Sequence, residues 1–429
     1  MGRRARNTGR IAFASGSVDI ADSYRSERRV WSHRWPLVVV PALVVAAAVA
    51  LWLAGPLQPD RGADEPADAA FPQREPRLVP TAGRDAASFG VHHDWGEATP
   101  TGVAARFGDT PVFFGLFVHF PFEDADYALL DRAAAELVEA DAALLLTVEP
   151  HEGLDTVTDG ALDELTSWLE TWNSRGLPVL VRFAHEMNGG WYAWGQRPEE
   201  YVVAFRRAAE AVRAAPTSEI MWAPNEGGGY PFPGGDYNAV PGDPGFDLLD
   251  TDGDGELTQS DDPYAPYYPG DDYVDRVGLT VYHFGEAWPW GDNVVPEDGK
   301  FLDKILGTYD GTEGDQKAVP DFHAEYARDR DLPMMVAETS SLYNVDREGP
   351  DGGELAIKSA WLEQIFADDL LDELPALDAL VWFAVRKPES EIDDELISWG
   401  LTHDDEILEA FHDAVPAWLR FVDGRGGPA

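Results

Sequence analysis

The residues best suited to chemistry fall in one run, Arg182-Phe183-Ala184-His185-Glu186-Met187-Asn188-Gly189-Gly190-Trp191-Tyr192-Ala193-Trp194-Gly195. It leaves an apolar stretch, enters a glycine-loosened turn, and holds one carboxyl, one imidazole and three large rings. A glycosidic oxygen is a poor leaving group and needs a proton donor; Glu186 can serve if neighbouring rings bury it enough to raise its pKa. Trp and Tyr faces also stack on the apolar faces of pyranose rings. A second carboxyl, Glu338, follows the apolar run Pro333 to Ala337. Paired carboxyls across a cleft break glycosidic bonds, with a separation of roughly 5 to 5.5 Å when one is a nucleophile and more when a water must fit between them. Arg182 lies four residues before Glu186 and should point inward, where a buried cation needs an acid partner, either Glu338 or another inward carboxylate. Strict strand alternation turns His185 away from the face Glu186 shares, so a site role for it requires a bulge or a strand end.

The elements that must position these groups are legible as eight short apolar runs: Ser88 to His92, Pro111 to Val118, Ala142 to Val148, Pro178 to Phe183, Glu219 to Ala223, Val277 to Tyr282, Pro333 to Ala337 and Leu380 to Val385. Helical patterns over Tyr127 to Ala140, Leu162 to Trp172, Pro198 to Ala214, Phe322 to Arg330, Leu355 to Asp368 and Asp405 to Ala414 fill most gaps. This order predicts an α/β fold, a (β/α)8 TIM barrel over 88–429, with an open doubly wound sheet as the second choice. Glu186 and Glu338 then end the fourth and seventh strands. The irregular segment Asn225 to Asp275 and a shorter acidic one before the seventh strand fall on the face where barrel enzymes hold their sites.

With these residues in place, the chain resembles glycoside hydrolase family 26, best known for endo-β-1,4-mannanases, with other members acting on mixed-linkage β-glucan or β-1,3-xylan. The resemblance rests on the Arg182 to Gly195 run, on Tyr268-Pro269-Gly270-Asp271-Asp272-Tyr273-Val274-Asp275, on Val336 to Thr339 and on Val381-Trp382-Phe383. It implies a retaining glycosidase with Glu186 as acid/base and Glu338 as nucleophile. It further implies His185 as a neighbour tuning the site, Tyr282 as a hydroxyl beside the nucleophile, and Trp191 and Trp382 as sugar platforms. Asn188, in the same run, is assigned to substrate binding, and no cofactor is implied for catalysis. Family mannanases follow the eighth-strand Trp with a basic residue, whereas Phe383 stands here, so substrate identity is less constrained than reaction type.

Asp250-Thr251-Asp252-Gly253-Asp254-Gly255-Glu256-Leu257-Thr258-Gln259-Ser260-Asp261 reads as an EF-hand-like loop. Asp250, Asp252, Asp254 and Asp261 supply acids at positions 1, 3, 5 and 12, Glu256 a backbone carbonyl at position 7, and Gly255 the turn. Its expected role is a structural calcium clamp on the cleft wall. The histidines show no metal-ligand spacing, although His92 and His151 follow strands and are candidates to line a sugar subsite.

The N-terminus has its own organisation: a basic segment 1–36, an uncharged Leu37 to Leu57 stretch long enough to span a bilayer, and a Pro/Ala/acidic linker over 58–87. Basic residues before the stretch place the N-terminus in the cytoplasm and the barrel outside, as a single-pass cell-membrane protein, or a secreted one if the segment is cleaved. The formal charge is −46, and with eight Arg against three acids in residues 1–35 the remainder carries −51. Such a surface repels nucleic acid and points to salt or bound cations as screening partners. No cysteine is present, which removes disulfides and thiol catalysis. The expected partner is a polysaccharide, with β-1,4-mannan first, then β-1,3-xylan, mixed-linkage glucan or an exopolysaccharide. A non-catalytic, calcium-dependent carbohydrate-binding surface protein is the reading of another class. The loop aromatics Tyr230, Tyr264, Tyr267, Trp288 and Trp290 are the groups expected to separate these substrates.

Overall fold

The computed structural model describes residues 78–422, apart from 286–289, 312–313, 316–318 and 390–391. Eight parallel strands follow one another around a closed barrel: β1 (Ala87–His92), β2 (Phe113–His119), β3 (Ala143–Glu149), β4 (Val179–Phe183), β5 (Ser218–Trp222), β6 (Arg276–His283), β7 (Met334–Ser341) and β8 (Leu377–Phe383). β8 pairs with β1, matching Ser88 to Ala379 and His92 to Phe383, which completes the ring. Strands buried on both faces read as continuous apolar runs, which is why each showed in the sequence. Phe113, Ala143, Leu145, Leu180, Met221, Met335, Ala379 and Val381 pack the interior. Small residues make room for large ones: a Cβ at Gly115 would lie 1.8 Å from His92 Nδ1.

The helices cover the outside with one apolar stripe each: α1 (Pro100–Phe107), α2 (Asp124–Ala140), α3 (Asp159–Asn173), α4 (Pro198–Ala214), α5 (Lys300–Leu306), α6 (Gly353–Ile365) and α7 (Asp405–Ala414). α4 starts with Pro at its first position and buries Tyr201, Ala204, Phe205, Ala208, Ala209 and Val212, the i, i+3, i+4 spacing of an amphipathic helix. Thr158 caps α3 by accepting from Ala161 N. The expected helix over 322–330 is instead one wide turn, His323–Ala327, followed by a tight one, Arg328–Arg330. α1 and α5 are too short to have stood out by periodicity. A small antiparallel sheet of Tyr343–Asn344, Glu395–Ser398 and Arg386–Glu389 was also missed, because Arg386–Glu389 is almost wholly polar.

At the N-terminal end of the barrel Arg276 is completely buried, ion-paired with Asp378 and 2.6 Å from Glu219, and its Nη2 donates to Pro80 O at 2.8 Å. Ala82 N donates to Asp378 and Val79 is buried, so the ordered body begins before Ser88, within the segment expected to be linker. The basic 1–36 segment, the Leu37 to Leu57 stretch and most of that linker lie outside the described residues. Among the described residues no helix is long and apolar enough to cross a membrane.

Candidate active site

Glu186 sits just past β4. Ala184 has φ 43° and Glu186 φ 53°, left-handed backbone that costs about 1–3 kcal/mol at a non-glycine residue and is found where a site demands it. This break in the period-two alternation is the strand-end irregularity that His185 required: it brings both His185 and Glu186 to the barrel mouth. The turn is pinned by Glu186 N donating to Ala223 O at 2.8 Å and Gly189 N donating to Glu186 O at 2.9 Å. Trp191 Nε1 donates to Glu186 Oε2 at 2.9 Å. Gly189 is needed for that contact, since a Cβ there would lie 2.3 Å from the Trp191 ring. Asn188 exchanges two hydrogen bonds with the Asn225 backbone, at 2.8 and 2.9 Å, and is fully buried; it ties the β4 loop to the β5 loop and does not reach substrate as expected.

Glu338 reaches the same place by a bulge. β7 pairs Val336 with Leu279 and then Glu338 with Thr280, so Ala337 is extra and Glu338 is turned inward. Arg182 Nη1 donates to Glu338 Oε1, and Tyr282 Oη donates to Oε2 at 2.8 Å. Arg182 Nη2 donates to Thr280 Oγ1 at 2.8 Å. Of the two partners open to Arg182, the structure selects Glu338. One oxygen of Glu186, one of Glu338 and one ring nitrogen of His185 all lie within 4.8 Å of one another.

The two carboxyls are driven apart electrostatically. Burial, reinforced by the Glu338 charge, pushes Glu186 up to about 7. Burial also presses Glu338 upward, but Arg182 foremost, with His92 and the Tyr282 hydrogen bond, outweighs it and holds Glu338 below the usual carboxylate range. At neutral pH one group can give a proton while the other is an anion, the division of labour that acid-assisted nucleophilic displacement requires. Burial and the Arg182 charge hold His185 well below its ordinary pKa, so it is a neutral ring, 3.3 Å from Tyr192 Oη.

The two expected sugar platforms are placed differently from each other. Trp191 is half-buried at the mouth, packed 5.1 Å from Phe232. Trp382 has no exposed surface: alternation along β8 turns it outward under α6, where its Nε1 donates to Trp399 O. It presents no face to a sugar. The inward residues of β8 are Ala379, Val381 and Phe383, and Phe383 lies 6.2 Å from Tyr282. Lys387 Nζ stands 5.6 Å over the Phe383 ring, so a cation reaches this position from the following hairpin. Phe117, Phe284 and Trp290, all half-buried, extend the aromatic lining. Phe117 and Phe284 were readable as continuations of the inward parity of β2 and β6. Tyr230, Tyr264 and Tyr267 are buried and only support the β5 loop, while Trp288 lies outside the described residues. His92 is buried with Nε2 3.0 Å from Ala337 O, and burial lowers it to about 4; it props the bulge of β7 and lines no subsite.

In the 250–261 loop, Asp250, Asp252 and Asp254 bring carboxylate oxygens within 4.8 Å of one another. The donor set is suited to a hard cation such as calcium. Asp261 does not join them. It is buried and accepts from Thr251 N at 2.6 Å and Thr258 N at 2.8 Å, closing the loop through its backbone; the Glu256 side chain is exposed.

Comparison with known proteins agrees with this geometry. The model of glycosyl hydrolase family 26 matches residues 140–253, a segment that contains Glu186 and stops before Glu338. Endoglucanase H of Acetivibrio thermocellus is 23% identical over 301 residues, covering 68% of this chain and 26% of the relative, so the chain spans about a quarter of that protein's length. Two structures of a Cellulomonas fimi endo-β-1,4-mannanase superpose with TM-scores of 0.52 and 0.50 at 16% and 17% identity, over 80% and 81% of this chain and 73% and 76% of theirs. At that identity the likeness speaks for the fold, a (β/α)8 barrel. The resemblance read from the motifs therefore holds: over residues 140–253 this chain matches glycosyl hydrolase family 26.

Proposed function

We propose that the chain is a retaining endo-β-glycanase, with β-1,4-mannan as its first substrate. The observation that carries this reading is the carboxyl pair, Glu186 held protonated and Glu338 held ionised, with oxygens within 4.8 Å. Oxygens that close fit the short carboxyl separation of retaining glycosidases better than the wider one of inverting enzymes, and suit direct attack. Glu338 attacks the anomeric carbon while Glu186 gives its proton to the departing glycosidic oxygen, so the C–O bond to the leaving sugar breaks as the glycosyl ester to Glu338 forms. Glu186, now a carboxylate, takes a proton from water, whose oxygen displaces Glu338 and regenerates both groups. Tyr282 and Arg182 hold Glu338 in place and stabilise the charge that returns to it. Mannan is favoured by the shared fold with the Cellulomonas fimi mannanase; a β-glucan is the second reading, supported by the name of Endoglucanase H.

Two further parts belong to this reading. Residues 37–57 anchor the chain in the cell membrane with the barrel outside, and Asp250, Asp252 and Asp254 hold a structural calcium. Membrane fractionation with a carbonate wash checks the first: release of the full chain into the wash rules out an anchor. For the activity, a panel of β-mannan, mixed-linkage glucan, carboxymethyl cellulose and β-1,3-xylan is incubated with the parent, Glu186→Ala and Glu338→Ala. Release of oligosaccharides from one polymer by the parent alone is expected. A parent that binds a polymer without cutting any, with both variants binding equally, replaces the enzyme by a lectin.

A further inference from the structure

The ends of β2 and β3 carry a second polar cluster that the carboxyl pair does not use. His119 and Glu149 are the last residues of the two strands and are paired in register, both on the inward parity of the barrel. His151 follows two residues on. Its ring lies 5.1 Å from that of His119, and its Nε2 is 3.5 Å from Glu149 Oε2. That contact is not a hydrogen bond: His151 Nε2 is buried without a hydrogen-bond partner, and such an atom in a cleft invites one from a ligand. The backbone is rigid here, because Glu149 O accepts from both Phe120 N and His151 N at 2.9 Å. Asp126 faces His119 Nδ1 at 3.6 Å, but its other oxygen accepts from Glu123 N in the cap of α2, so it acts as a brace. The cluster is continuous with the catalytic turn through Trp194, whose ring is 5.6 Å from His151 and 6.0 Å from His185.

We propose that His119, Glu149 and His151 form a subsite for the hydroxyl groups of a sugar unit away from the bond that is cut, on the β2–β3 side of the cleft. A carboxylate can accept from two adjacent hydroxyls, and an imidazole can donate to one oxygen or accept from another, so the set is fitted to a vicinal diol. The alternative, a metal, is disfavoured by geometry: among the described residues only His185–Glu186–Glu338 and Asp250–Asp252–Asp254 bring three ligand atoms within 4.8 Å. The subsite gives chain-length dependence to the glycanase reading and rests on it.

The test uses the full chain, the variants Glu149→Gln, His151→Ala and the more exposed His119→Ala, and two substrates in both manno and gluco series: a β-1,4-linked hexaose and an aryl glycoside of the disaccharide. The expected result is a loss of kcat/KM at least tenfold greater on the hexaose than on the aryl disaccharide, carried by KM. Equal losses on both substrates, or none on either, overturn the subsite; retained turnover of the aryl disaccharide shows that a variant is folded. Calorimetric binding of the hexaose to the same proteins separates the two claims. A parent that turns over neither substrate but loses hexaose affinity in Glu149→Gln refutes the glycanase and keeps the subsite. Unchanged affinity in every variant removes the subsite whatever the kinetics.

Discussion

At the scale of single residues, Glu186 and Glu338 differ in charge because they differ in surroundings. Glu186 is lifted to about 7 by burial and the neighbouring carboxylate, while Arg182 and Tyr282 keep Glu338 ionised. The proposed displacement needs Glu186 protonated and Glu338 charged. kcat/KM is therefore expected to fall above pH about 7 as Glu186 loses its proton, and to fall on the acid side only below the ordinary carboxylate range, where Glu338 gains one; a pH–rate profile checks both limbs. Tyr282→Phe removes one hydrogen bond to a charged group, worth about 1.5–3 kcal/mol, so kcat/KM should drop roughly 10- to 150-fold. The acid limb should also move to higher pH, because that hydrogen bond lowers the Glu338 pKa. The places of both glutamates, and of Tyr282 beside Glu338, were legible before the structure, since motif and strand end coincide. Trp382 was not: its type fits a sugar platform, but only the parity of β8 shows that Phe383 faces the mouth while Trp382 faces α6. His185 comes to the mouth through positive φ angles at Ala184 and Glu186, which nothing in those residue types announces.

At the scale of elements, all eight strands were visible because buried parallel strands are continuously apolar, and the helices α2, α3, α4, α6 and α7 because their stripes are long. Polar strands and short helices escaped. The Arg276–Asp378 pair shows the division between stability and chemistry in a barrel: it joins β6 to β8 at the end opposite the carboxyl pair and takes in the segment before β1 through Pro80 and Ala82. Asp378→Ala leaves a buried guanidinium with only Glu219 as its acid partner. A loss of about 3 kcal/mol in urea unfolding is expected, with kcat/KM of the folded protein within a factor of three. The 250–261 loop makes a different prediction. If Asp250, Asp252 and Asp254 hold calcium, a concentration 100 times Kd adds about 2.7 kcal/mol to stability. Melting with calcium against EGTA should then show a higher Tm for the parent and none of that gain for Asp250→Ala; equal response of the two rules the clamp out.

At the scale of the whole molecule, charge dominates. A chain of net charge −46 contains only five lysines. Lys300, Lys304 and Lys358 are buried, the Lys387 side chain is only 12% exposed, and Lys317 lies outside the described residues. Lys358 shows what they do: its Nζ donates to Ser341 O at the end of β7 and to Ser398 O at 3.0 Å, fastening the strand of Glu338 to the hairpin that carries Trp399. The exposed face is left to arginine and a large excess of acid, whose mutual repulsion is screened over about 10 Å at 0.1 M salt but about 3 Å at 1 M. Tm is expected to rise steadily from 0.05 to 2 M sodium chloride, and a flat response contradicts the reading of the surface as salt-adapted. The excess of acid could be read from composition alone, whereas the inward use of lysine could not, because composition carries no burial.

The central claim is that Glu338 attacks the sugar directly, and the stereochemistry of the first product tests it most directly. The parent is incubated with the β-glycan it cleaves fastest, and the anomeric protons of the newly formed reducing ends are followed by NMR before mutarotation. Two successive displacements predict that the β-anomer appears first and converts slowly to the equilibrium mixture. Appearance of the α-anomer first would mean that a water, not Glu338, attacks the anomeric carbon, and the assignment of Glu338 as nucleophile would be wrong.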